Sequence, residues 1–209
     1  MLVLALDTAL SAATAVVAEG DRVLAVRSQP MARGHQEAIA TLTQEAMTEA
    51  GIAFRRLDRI GVTVGPGSFT GLRVGLSFAK GLALAWSTPL IGIATLEALA
   101  SSVDGGRVLA AVDAGRGQIY LQGTGAPMRL SVADASAFAA NFRPDVIVGS
   151  GGALLADAAP GARLIDRDHA PPEVLARLTQ LMPVSEGPPK PLYLRAPDAK
   201  TLAERGIRR

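Results

Sequence analysis

Residues 59–86 read RIGVTVGPGSFTGLRVGLSFAKGLALAW, and this stretch decides the fold. Arg59 to Val64 is a short apolar run with β-branched residues, which predicts a buried strand. Gly65-Pro66-Gly67-Ser68-Phe69-Thr70-Gly71 follows as a loop, and Thr70 to Trp86 predicts a helix. At 3.6 residues per turn Arg73, Ser77 and Lys80 share one narrow stripe of that helix. Leu72, Val74, Leu76, Phe78, Ala79, Leu82, Ala83, Ala85 and Trp86 cover nearly everything else, more than one sheet can bury. Small residues at Gly71, Gly75, Ala79 and Ala83 recur every fourth position and permit close approach of another backbone. The same spacing is met in lipid, but Arg73 and Lys80 argue against a membrane span.

Two chemistries fit the loop. Where a strand passes into a helix, free backbone N–H groups and the helix dipole can hold a phosphate. A tight turn with Ser68 or Thr70 as N-cap satisfies the same donors without any ligand. The loop is not a Walker A motif, because Leu72-Arg73 stands where that motif carries its lysine.

Upstream, Leu2 to Leu6 is an apolar run ending in Asp7-Thr8, Ala12 to Ala18 is a second strand, and Glu19-Gly20-Asp21 turns into a third at Arg22 to Ser28. Residues 36–50 follow a helical period with Ala38, Ile39, Leu42, Ala46 and Ala50 on one side, and Gly51 closes the helix. Counting Ala40 and Met47, its apolar arc spans about 200 degrees against the ~100 degrees a single core face requires. The order is βββαβα. Two over-apolar helices in one chain predict a partner surface, unless the rest of the molecule covers them.

Downstream, the pattern repeats in shortened form. Arg107 to Asp113 echoes Leu2 to Asp7, a turn and a strand at Ile119 to Gly123 follow, and Val146 to Val148 runs into Gly149-Ser150-Gly151-Gly152 and a short helix at Ala153 to Ala156. Two lobes, each with a strand ending in Asp and a later Gly-rich loop before a helix, resemble the actin and sugar-kinase superfamily. The expected class is therefore α/β, a two-lobed actin-like (RNase H-like) fold with a reduced second lobe, residues 1–103 forming the first lobe and 104–209 the second with its tail. In such folds a nucleotide lies between the lobes, which makes Asp7, Thr8, Asp113, Gly149, Gly151 and Gly152 candidates for a vestigial nucleotide cleft. Turns after apolar strands in any α/β protein give the same pattern. Pro183 to Pro191 holds four prolines in nine positions and reads as an extended connector rather than a domain boundary.

The chain has 209 residues, 49% of them apolar, enough for a sizeable core. It has no cysteine, so a disulfide framework, a thiolate nucleophile and a Cys-based zinc site are excluded. Its two histidines, His35 and His169, cannot make a His-rich metal site, and His35 reads as a polar helix start. G-x-S-x-G is missing as well, so no hydrolase signature is present. The formal charge of +2 gives no nucleic-acid signal. The opening MLVLALDTAL has no basic n-region and does not read as a signal peptide, so a cytoplasmic location is expected.

The string GPGSFTGLRVG followed by GLALA and PLIG, with LALDTA at the start, Gly34-His35, RVLAAVDAGRGQIY and Pro191-Leu192-Tyr193-Leu194-Arg195, resembles the TsaB family. The resemblance covers most of the chain and thins between residues 124 and 190. It implies a degenerate copy of the paralogue TsaD, which carries a metal-binding H-x-x-x-H where this chain has Thr95 and Leu99. Neither side chain replaces an imidazole, so no metal, no cofactor and no catalytic residue are expected. The implied role is a non-catalytic subunit that supports TsaD, with the ATPase TsaE, in forming N6-threonylcarbamoyladenosine at adenosine 37 of ANN-reading tRNAs. The implied partners are TsaD as a heterodimer, TsaE through that complex, and a second copy when the chain is alone. Any contact with tRNA is expected to be indirect. The residues expected at the partner interface are Ile39, Ala40, Thr43, Met47, Leu72, Leu76, Ala79 and Ala83. The rival readings are an ATP-dependent phosphotransferase using Asp7, Asp113 and the two Gly-rich loops, and a metallopeptidase.

Overall fold

The structure, a computed structural model, describes residues 1–31 and 35–194, and of residues 35–37 only the backbone. Gly34, Arg195 and the side chain of His35, invoked above, lie outside the described residues. The first strand shows why the chain folds in layers. In β1 (Leu2–Asp7) Leu2, Leu4 and Leu6 point to one core and Val3 and Ala5 to another, so both faces are covered and the sequence reads as a continuous apolar run. Next come β2 (Ala12–Glu19), β3 (Arg22–Pro30), α1 (His35–Ala50), a 3-10 turn (Phe54–Arg56), β4 (Arg59–Gly65), α2 (Phe69–Trp86), β5 (Leu90–Ala94) and α3 (Thr95–Ala100). The second half gives β6 (Val108–Gly115), β7 (Gln118–Gln122), β8 (Met128–Ser131), α4 (Val132–Phe142), β9 (Val146–Val148), a 3-10 helix (Gly152–Ala158), β10 (Arg163–Ile165) and α5 (Pro172–Leu181).

The strands form two sheets of one topology, β3-β2-β1-β4-β5 and β8-β7-β6-β9-β10. In each, the first strand pairs antiparallel with the second and parallel with the fourth. The weak sequence echo is therefore a structural repeat. The second copy is reduced: β9 has 3 residues against 7 in β4, and a 3-10 helix of 7 residues replaces the 18 of α2.

Each lobe ends by sending a helix to the other. Leu96 and Leu99 of α3 pack with Ala110, Val112, Tyr120 and Val148 of the second sheet. Val174, Leu175 and Leu178 of α5 pack with Val3, Ala5, Val16 and Ile93 of the first. α5 thus lies within the expected 104–209 segment by sequence and packs on the first sheet. The reason is that β1 and β2 have a second apolar face, and α5 covers it. Arg59 fixes the crossing by donating to the carbonyls of Gln180 and Met182 at 2.9 and 2.8 Å, at the C-terminal end of α5. Gly61 admits the helix, since a Cβ there would collide with Thr179 Oγ1. No helix among the described residues is long and apolar enough to cross a membrane.

Candidate functional site

The two strand-end loops and the two Gly-rich loops meet in pairs, one pair per lobe. In the first lobe Asp7 Oδ1 accepts the Ala9 N–H at 2.8 Å and the Thr63 hydroxyl at 2.7 Å, which closes a turn after β1. The Ala9 carbonyl accepts the Ser68 N–H at 2.7 Å, and the Thr8 hydroxyl donates to the Gly71 carbonyl at 2.8 Å. Ser68 caps α2, its hydroxyl accepting the Gly71 N–H at 3.2 Å. Gly67 and Gly71 lie so close to this turn that a Cβ would overlap the Ala9 and Thr8 carbonyl oxygens. Their requirement is close approach, not a left-handed backbone; the positive φ of the loop is at Gly65, +109.

The second lobe repeats the device. Asp113 Oδ1 accepts the Gly115 N–H at 2.8 Å, the Gly151 N–H donates to the Ala111 carbonyl at 3.0 Å, and a Cβ on Gly149 would overlap that same carbonyl. Gly152 has only ordinary contact with Ile147. Gly67, Gly71 and Gly149 thus lie against the chain's own backbone, and Ser68 takes one of the helix donors that a phosphate would need, the Gly71 N–H. Asp7 is buried and Asp113 is exposed. Between the lobes Leu10, from the turn after β1, joins Leu96, Leu99, Val112 and Val148 in an apolar cluster. Thr95 and Leu99 are both 0% exposed, at the start and within α3.

Most of the expected interface residues are turned inward. Ile39, Thr43 and Met47 of α1 and Leu72, Leu76 and Ala79 of α2 are buried, and Ala83 is half-buried; only Ala40 is exposed. The cause is the pairing of the two helices. α1 lies against α2, so each covers the part of its neighbour's arc that the sheet cannot reach. The apolar surface that remains outside was not in the expected set. Leu84 is 85% exposed, Trp86 is 46% exposed and stacks on Phe54 with ring centroids 6.3 Å apart, and Ala85 is exposed beside them. Arg55 and Arg56 flank this patch on the 3-10 turn.

The family model described as TsaD: tRNA N6-adenosine threonylcarbamoyltransferase matches residues 26–140. The chain is 36% identical over 124 residues to the Escherichia coli tRNA threonylcarbamoyladenosine biosynthesis protein TsaB, a match covering 57% of this chain and 53% of that one. It thus spans about half the length of that relative. An uncharacterised Mycobacterium bovis protein is 33% identical over 203 residues, covering 96% of this chain and 95% of the relative. A Pseudomonas aeruginosa protein described as similar to peptidase YeaZ superimposes with a TM-score of 0.76 at 24% identity, covering 93% of this chain and 99% of the other. A ROK hexokinase from Thermus thermophilus superimposes at 0.52 with 16% identity, covering 86% of this chain and 98% of the other. The fold is that of the actin-like sugar kinases, and the chain belongs to the TsaD family, with the Escherichia coli TsaB among its relatives.

Proposed function

We propose that this chain is a non-catalytic subunit of the machinery that forms N6-threonylcarbamoyladenosine on tRNA, and that its work is to bind and support TsaD. Family membership supports the pathway. The observation that carries the non-catalytic reading is at the head of α3. Thr95 and Leu99, where the resemblance puts TsaD's metal-binding pair, are fully buried and lie on a helix packed against the second sheet. Asp7 and Asp113, the acidic candidates for a metal-bound nucleotide, each close a turn of their own lobe. Such a chain has a strong reason to keep the fold and little with which to run the chemistry.

The partner face on this reading is the outward side of α2, centred on Leu84, Ala85 and Trp86, with Ala40 the remaining exposed member of the expected set. TsaD occupies it as a heterodimer, TsaE joins through that complex, and a second copy takes the face when the chain is alone. Contact with tRNA, if it occurs, runs through TsaD, and the location is cytoplasmic. The test is reconstitution. Purified chain, ATP, magnesium, threonylcarbamoyl adenylate and tRNA are incubated with and without TsaD and TsaE. Modified adenosine is expected only when TsaD is present; its appearance without TsaD refutes the proposal.

A further inference from the structure

Residues 183–194 have no regular secondary structure, yet the last of them run across the joint between the lobes. A register shift between β4 and β5 at Thr63/Gly65 sets Val64 out of the pairing, and its carbonyl accepts the Leu192 N–H at 2.7 Å. Bare backbone makes room for the crossing: a Cβ on Gly65 would stand 2.9 Å from the Leu192 carbonyl oxygen, and one on Gly92 2.8 Å from Pro189 Cβ. Tyr193 then meets the first turn of α2. Arg73 Nε donates to its hydroxyl at 3.0 Å, the guanidinium lies 3.8 Å above the Phe69 ring, and the Phe69 and Tyr193 centroids are 5.2 Å apart. Leu194 joins the apolar cluster of Leu10, Leu96, Leu99 and Val112 on the second sheet.

Among the described residues this segment is held by one backbone hydrogen bond, from the Leu192 N–H to the Val64 carbonyl, and by the side chains of Tyr193 and Leu194, rather than by a ladder. Pro188, Pro189 and Pro191 cannot donate backbone hydrogen bonds, but they stiffen the free segment, so a few contacts suffice to seat it. Short stretches with little backbone pairing are the ones that open first from a folded core.

We propose that residues 188–194 are a releasable strap. The clasp of Arg73 and Phe69 on Tyr193 governs whether Leu194 covers the apolar floor made by Leu96, Leu99 and Val112. Releasing the clasp uncovers that floor while both lobes stay folded. Because the clasp is built on α2, one helix carries both the exposed apolar face and the catch of the strap.

The absence of cysteine from the sequence makes the test clean. A Val112→Cys reporter is placed in the floor, and a Met47→Cys control in the separate core under α1. Reaction with a maleimide is timed in the parent, in Arg73→Ala and in Tyr193→Ala. Both changes sit on exposed side chains and each removes the Arg73–Tyr193 hydrogen bond together with two ring contacts, so the floor thiol should react about tenfold faster in each. The control thiol should keep its rate. Unchanged reactivity of the floor thiol in both variants overturns the proposal, since the strap is then fixed core. A rise of the control thiol in step with it overturns the proposal too, because the opening is then unfolding of the whole chain.

Discussion

The two lobes share one strand order and one way of docking a Gly-rich loop on a strand-end turn, yet they differ at the helix that follows. After β4 the chain builds an 18-residue helix, and after β9 a 3-10 helix of 7 residues. The short version shows how much helix the topology needs to cover its sheet. The extra turns of α2 are where Leu84, Ala85 and Trp86 lie exposed. What the lobes have in common is therefore the fold, and what the first lobe has in excess is the surface we assign to a partner.

The largest expected effect breaks the equivalence of the lobes at their cores. Leu76 and Leu155 are buried residues of corresponding helices, and Asp at either position puts an unpaired charge into an apolar core. Each substitution should cost more than about 4 kcal/mol, a large part of the roughly 5–15 kcal/mol that holds a domain together. Trp86, the single tryptophan, reports the first lobe. If the exchanged helices make one cooperative unit, Leu155→Asp should abolish the folded Trp86 fluorescence although it lies in the other lobe. A first lobe that keeps its signal and its unfolding transition would show that the lobes fold independently.

Next come the loop glycines. Gly71→Ala and Gly149→Ala each push a methyl group into a backbone carbonyl, and each should cost about 1–3 kcal/mol in thermal unfolding. Gly149 should sit at the upper end, because its φ of +117 adds backbone strain. Gly152→Ala is the control, with 3.5 Å to its nearest neighbour and an expected change below about 0.5 kcal/mol. Equal effects at Gly149 and Gly152 would remove the close-approach account of the loops. Smaller again is Arg59→Ala, which strips the carbonyl contacts from the end of α5 and should cost about 1–2 kcal/mol. Faster amide exchange confined to α5 would place that loss at the crossing between the lobes.

Much of this was legible beforehand because the patterns are local. β9 falls at Val146–Val148, where the sequence places a strand; α1 ends at Ala50 with Gly51 at φ +66, and Ser68 caps α2, one of the two ways the loop could be read. The helices at 132–142 and 172–181 were not read, since their apolar faces lie in the stretch where the family resemblance thins. The exchange of α3 and α5 was out of reach for a different reason. A helix records that it has an apolar face, but not which of two similar sheets will cover it. The inward turn of most of the expected interface residues was hidden for the same reason, as the broad arcs of α1 and α2 bury one another. A signal for the true exposed face was present: Leu84 lies one turn beyond Lys80 on the Arg73, Ser77 and Lys80 stripe, an apolar residue on the polar side of the helix.

The smallest expected effect on stability belongs to that residue, and it bears most directly on the assigned role. Leu84→Glu changes a side chain that is 85% exposed, so thermal unfolding should shift by no more than about 0.5 kcal/mol. Binding should respond sharply, because a charge at the centre of an apolar contact is left buried and unpaired. The measurement is size-exclusion chromatography with light scattering on parent and variant, each mixed with purified TsaD. The account predicts that the parent elutes with TsaD as a heterodimer, while the folded variant elutes apart from it. Co-elution of Leu84→Glu with TsaD at the parent's affinity would contradict it.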